Sequence, residues 1–206
     1  MGKKDLHGSA PDKCSTALLL IDVINDFRFP EAGELLRFAV PMAARLRALK
    51  TKAREANIPA IYINDNFGRW QSNFSTLIRH CMTSPGKQIV RALLPRGDDY
   101  FVLKPKHSAF YSTTLDTLLR YLGAKRLIIT DIAANICVLF TASDAYMRDF
   151  RLWIPQDCVC SNTTRDNDFA VEQMRTVLKA DVRPFERPGR HPFLVNRART
   201  RKKVNA

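Results

Sequence analysis

The stretch "LIITDIAANICVLFTASDAYMRDF", residues 127–150, begins as a strand and finishes as a helix. Its first residues are apolar and β-branched, the composition of a strand buried on both faces, as parallel sheets require. From about Asn135 to Asp149 the pattern becomes helical, and one thiol, Cys137, lies near the seam. The question it raises is whether that sulfur is core packing or a nucleophile at the opening of a helix.

The same alternation runs outward in both directions. "ALLLIDVINDF" (17–27), "AIYIND" (60–65) and "YFVLK" (100–104) read as strands before it, "LWIP" (152–155) and "DVRPF" (181–185) as strands after it. Between them lie helical segments. Met42, Leu46, Leu49 and Ala53 form one helical stripe, with Pro41 suited to a first turn. "GKQIVRALL" reads as a short helix, "TLDTLLRYLG" as a helix closed by Gly123, and "DNDFAVEQMRTVLKA" as the last helix. Residues 66–85 carry no assignment. Strand and helix alternating without repeat or internal linker is the pattern of a doubly wound α/β domain around a parallel sheet. Ligands in such folds sit outside the carboxyl ends of strands, near a topological switch point.

The 206 residues divide into a polar leader (1–16), one domain (17–186) and a basic tail (187–206). No apolar run approaches the length of a membrane helix, and the N-terminus lacks the apolar stretch of a signal peptide, so a cytoplasmic protein is expected. Five scattered cysteines are no disulfide framework, and Cys158-Val159-Cys160 has neither thioredoxin nor zinc spacing. The net charge of +13 is concentrated at the end, where the segment from Arg187 onward carries seven Arg or Lys and no acid. Such a tail suits nucleic acid or an acidic membrane surface, but no aromatic-interleaved RNA motif accompanies it, and a solvated or packing role is the expectation.

Three strand ends carry chemistry. Asp22 closes the first strand inside apolar sequence, where an unpaired carboxylate is costly, so a cation or donor must lie near it. Lys104 ends the third strand, with Lys106 as its local competitor. Cys137 follows the fourth strand, and a thiol at a helix N-terminus feels the positive end of the dipole, which enriches the thiolate. No HxxxH, GxGxxG, Walker A or GxSxG motif is present.

"LLLIDVINDF", "KPKHSAF" with "STTLDTLL", and the stretch quoted first resemble, in order and spacing, the three signature segments of the isochorismatase-like cysteine hydrolases. The likeness runs from about Ala17 to Phe185. It implies a three-layer α/β/α, Rossmann-like fold with a six-stranded parallel sheet. It implies a catalytic triad of Asp22, Lys104 and Cys137, the lysine being the one four residues before the Ser of Ser-Ala-Phe. It also implies a cis Ile132–Ala133 peptide bond and an oxyanion hole built from the N–H groups of Ala133 and Cys137. Substrate contacts are expected from Phe27, Asn66, Phe67, Arg69, Trp70 and Phe110, and a homo-oligomer is expected.

Two departures matter. Nicotinamidases of this family hold a metal with Asp-x-His after the second strand; here Asp65-Asn66-Phe67 stands there, so neither metal nor cofactor is expected. Asp131 occupies a position where Gly is commoner. The expected activity is hydrolysis of a small amide or carbamoyl compound through a Cys137 thioester. The alternatives are an isochorismate-type vinyl-ether hydrolysis with Asp22 as acid, and a non-catalytic protein binding nucleic acid through its tail.

Overall fold

The computed structural model describes residues 13–65, 67–68, 73–189 and 191–195, with the side chain of Asp131 outside that set. Six strands occur: β1 (Thr16–Ile21), β2 (Ala60–Asp65), β3 (Tyr100–Lys104), β4 (Arg126–Ile132), β5 (Arg151–Trp153) and β6 (Val159–Cys160). The helices are α1 (Ala32–Glu55), α2 (Phe74–Cys81), α3 (Lys87–Ala92), α4 (Leu115–Leu122), α5 (Leu139–Tyr146) and α6 (Thr164–Thr176). All strand pairs are parallel, in the order β3-β2-β1-β4-β5.

The six strands fill only five positions. β5 pairs with Arg126–Ile128 of β4, and β6 pairs with Asp131 and Ile132 farther along the same edge. The strand expected over residues 181–185 shrinks to one bridge, Trp153 to Asp181. The cause is local: Pro184 has no N–H to give, and the Arg183 N–H is spent on Asp181 Oδ1 at 3.0 Å.

Alternation along β1 divides the core. Leu18 and Leu20 point to the layer containing α1 and α3, while Ala17, Leu19 and Ile21 point to the layer of α4, α5 and α6. β4 does the same, with Ile128 and Ile132 on one side and Leu127 and Ile129 on the other. A strand apolar at every position is therefore amphipathic to nothing; it is a two-sided wall, which is why sequence periodicity there reads as a continuous run.

Two expectations about helices change. The first helix starts at Ala32, so Pro41 lies inside it rather than in its first turn. The burial of Leu35, Ala39, Met42, Leu46, Leu49 and Ala53 along one stripe outweighs the missing hydrogen bond, a cost of about 3 kcal/mol. Unassigned residues 74–81 form α2, capped by the Asn73 side chain, which accepts from the Thr76 N–H at 3.0 Å.

Candidate active site

The strand order reverses between β1 and β4, and the three expected residues converge beyond the carboxyl ends of β1, β3 and β4. The Asp22 N–H donates to Ile63 O at 2.8 Å, which completes the ladder before the chain turns away at φ 52. Asp is one of the few residues that adopt this left-handed conformation readily. Its carboxylate, 6% exposed as a residue, accepts from the Asp65 N–H at 2.8 Å and lies 2.7 Å from Lys104 Nζ. Lys104 is 1% exposed and reaches further, to Lys106 O at 3.2 Å and Cys137 Sγ at 3.6 Å. Lys106 itself is exposed and contributes only its carbonyl. Each ion would cost several kcal/mol to bury alone, so the pair can occupy this interior only together.

Cys137 sits on a wide π-type turn, Ala134–Val138, that runs directly into α5. The turn is made by Ala133, at φ 97 and ψ 80. No cis peptide bond occurs among the described residues, so the cis Ile132–Ala133 bond expected above is not formed; the reversal is carried by Ala133's own dihedrals. An alanine there stores about 1–3 kcal/mol of strain. The Ala133 N–H donates to Cys160 O at 3.0 Å, tying the turn to β6. It is therefore spent on the sheet edge, and the expected oxyanion pair of Ala133 and Cys137 is not open at Ala133. The Asn135 N–H donates to Ser161 Oγ at 3.3 Å, a second tie to the segment after β6.

The remaining cysteines are buried and in no disulfide. At Cys158, burial first and the neighbouring Asp157 next push the thiol well above the ordinary range. That sulfur is packing, in contrast to Cys137 with an ammonium against it.

A fourth residue arrives that sequence reasoning passed over. His107 Nδ1 lies 3.9 Å from Cys137 Sγ, and its ring packs on Phe140 at 5.6 Å. The histidine spacing speaks only to metal binding; the signal for His107 is adjacency, three residues after the lysine and next to Ser-Ala-Phe.

The expected substrate contacts divide. Phe27 is 3% exposed, and Phe110 is 6% exposed with the Arg148 guanidinium 4.8 Å over its ring. Phe27 packs in the cluster on the α1 side of the sheet and Phe110 in the one on the α4–α6 side. Phe67 is 37% exposed at the end of β2. Asn66, Arg69 and Trp70 lie outside the described residues, as do Arg190 and 196–206 of the tail.

Among the described residues, those after β2 do not fit a metal. Asp65 Oδ1 accepts the Phe67 N–H at 2.6 Å, and His80 pairs with Asp26 at 2.9 Å. Burial pushes the Asp26 carboxyl up, but hydrogen bonds from His80 and the Arg28 N–H outweigh it and hold it below the usual range. Among the described residues no group of three or more His, Cys, Asp or Glu is placed to hold a metal ion, and no helix is long and apolar enough to cross a membrane.

Residues 16–182 match the family model of the isochorismatase domain. A Bacillus subtilis protein named YaaI, an uncharacterized isochorismatase family protein, is 45% identical over 82% of this chain and 94% of its own length. The ureidoacrylate amidohydrolase RutB of Methylobacterium radiotolerans is 29% identical over 68% of this chain, and the chain spans 65% of that relative's length. Among solved structures, N-carbamoylsarcosine amidase from Thermoplasma acidophilum superposes with a TM-score of 0.65 at 24% identity, over 85% of this chain and 99% of that one.

Proposed function

The chain belongs to the isochorismatase family of hydrolases, and from that premise we propose that it cleaves the C–N bond of a small amide or carbamoyl compound through a thioester on Cys137. The observation that carries this reading is the buried Lys104 ammonium, 2.7 Å from Asp22 and 3.6 Å from the sulfur. A fixed positive charge beside a thiol favours the thiolate, and the thiolate is the nucleophile. The ureidoacrylate relative supports the choice of an amide or ureido group.

In the proposed sequence Asp22 takes the thiol proton, and Lys104 offsets the charge on the sulfur and then on the adduct. Cys137 attacks the carbonyl carbon, the C–N bond breaks, and the nitrogen leaves with a proton. Water then adds to the thioester and releases the acid and the free thiol. With the Ala133 N–H engaged on Cys160, the oxyanion is assigned to the Cys137 N–H and the Lys104 ammonium.

The test is ammonia release from a panel of small amides, ureido acids and carbamoyl compounds, comparing the wild type with Cys137→Ala. Release should occur with at least one compound and fall by at least about 10³-fold in the variant. Release that survives the substitution would remove the thioester. No release from any compound would move the vinyl-ether chemistry, with Asp22 as acid, ahead of the amide.

A further inference from the structure

Two side chains, one from the end of β3 and one from the loop after it, meet the same sulfur. Lys104 reaches Cys137 Sγ from the interior, and His107, whose residue is exposed, reaches it with Nδ1 at 3.9 Å. The loop is held rather than slack. The Ser108 hydroxyl donates to Asp144 Oδ2 at 2.5 Å, and the Ala109 N–H donates to Thr141 Oγ1 at 3.0 Å. The His107 ring rests on Phe140 at 5.6 Å. Thr141, Asp144 and Phe140 all lie on α5, the helix into which the Cys137 turn runs. One element thus holds both the sulfur and the imidazole, and sets the distance between them.

We propose that His107 is a fourth catalytic group of this site: its protonated ring pairs with the Cys137 thiolate on the open side and gives its proton to the departing nitrogen. This rests on the thioester reading. When the first tetrahedral adduct collapses, the C–N bond breaks and its electron pair goes to nitrogen. That nitrogen takes the imidazolium proton, and the carbonyl re-forms as the thioester beside a neutral ring. The neutral ring then accepts a proton from the water whose oxygen bonds to the thioester carbon. Collapse of that second adduct breaks the C–S bond, expels the thiolate and releases the acid, leaving the imidazolium as it began. Asp22, with one oxygen on the Asp65 N–H and the other against Lys104, holds the proton it took from the thiol through these steps and returns it to the expelled thiolate at the end.

The groups that set the charge around the ring are known among the described residues. Lys106 lies on its own loop and Lys104 at the end of β3, Cys137 faces it from the π turn, and Asp144 stands behind Ser108 on α5. Asp22 lies beyond Lys104. Between pH 5 and 8 imidazole is the ordinary side chain that changes charge, so the pairing has a pH signature.

The test needs no substrate. The rate of Cys137 alkylation by iodoacetamide is measured from pH 5 to 9.5 in the wild type, His107→Gln and His107→Ala, with Cys137→Ala as the background from the other thiols. The expected result is a loss of about tenfold at pH 6 in both variants, equal to one pKa unit, and agreement within about twofold at pH 9. Added imidazole should recover part of the loss in His107→Ala, because the position is open to solvent. A pH profile unchanged by both substitutions, in variants with wild-type circular dichroism, would overturn the proposal even if ammonia release depends on Cys137. A shifted profile in a protein that cleaves no amide would keep the pairing and sink the amide reading instead.

Discussion

Lys104 is the residue on which the local energetics turn. Its ammonium is almost wholly enclosed and answers the Asp22 carboxylate at 2.7 Å. Lys104→Met keeps the length of the side chain and removes the charge, leaving a buried carboxylate without its cation. The expected loss is about 3–5 kcal/mol of stability, read as a lower urea midpoint, together with slower Cys137 alkylation. An unchanged midpoint would mean that Asp22 finds another cation. A second outcome belongs to the thiols: of the five cysteines, Cys137 should alkylate at least about tenfold faster than any other at pH 8, by peptide mass mapping. Cys158 should be among the slowest, since burial pushes its thiol up. Asp22 and Lys104 were legible because a charge inside apolar sequence must have a partner. The direction of the Ala133 N–H was not, because which way a peptide faces depends on β6, two residues that pair across the sheet edge.

Among the elements, β1 to β5 and most helices followed from alternation and from the spacing of apolar residues, whereas β6, the lost strand at 181–185 and the other exceptions came from packing. Pro41 sits in the interior of α1 because a long buried stripe holds the helix on both sides of it. α2 is marked in the sequence by Phe74, Leu77, Ile78 and Cys81 at helical spacing behind the Asn73 cap, a signal short enough, at two turns, to pass for loop. The segment from α2 to α3 closes on the loop after β1 at Gly86, where an added Cβ would lie 2.1 Å from Asn25 O and 2.7 Å from the Phe27 ring. Backbone cannot move aside as a flexible side chain does. Gly86→Ala should therefore cost about 1–3 kcal/mol, lowering Tm by about 2–4 °C for each kcal/mol in a thermal melt. A variant melting with the wild type would show that α3 can shift away without loss.

On the scale of the whole molecule, the basic tail is not all solvated. His191 stacks on Trp153 with ring centroids 3.7 Å apart, Leu194 is buried, and Arg126 donates to Pro192 O at 3.2 Å. Burial lowers the His191 value below 6.5 even though Asp181 opposes this from 2.9 Å, so protonation works against docking. Burial raises Asp181, but hydrogen bonds from Arg183 and His191 overcome it and bring the carboxyl to about 2. Both folded values lie below their ordinary ones, so both contributions are whole above the ordinary value and are lost on acidification. Trp153 fluorescence in a Trp70→Phe background should be steady from pH 7 to 8. It should change first below pH 6.5, and again as pH falls from 3.8 toward 2. A trace flat from pH 8 to 4 would mean that the stack does not depend on neutral imidazole.

The central position of β1 has a consequence for how the protein is made. One edge of Thr16–Ile21 is filled by β2, early in the chain, but the other waits for β4, which begins at Arg126. During synthesis the nascent sheet therefore presents an open apolar edge from the completion of β2 at Asp65 until β4 begins at Arg126, the condition that invites mispairing between chains. Cys137 is synthesised just after the strand that closes this edge. Iodoacetamide labelling at that thiol would thus time the joining of β4 to β1, in a stalled nascent chain as well as in a refolding one.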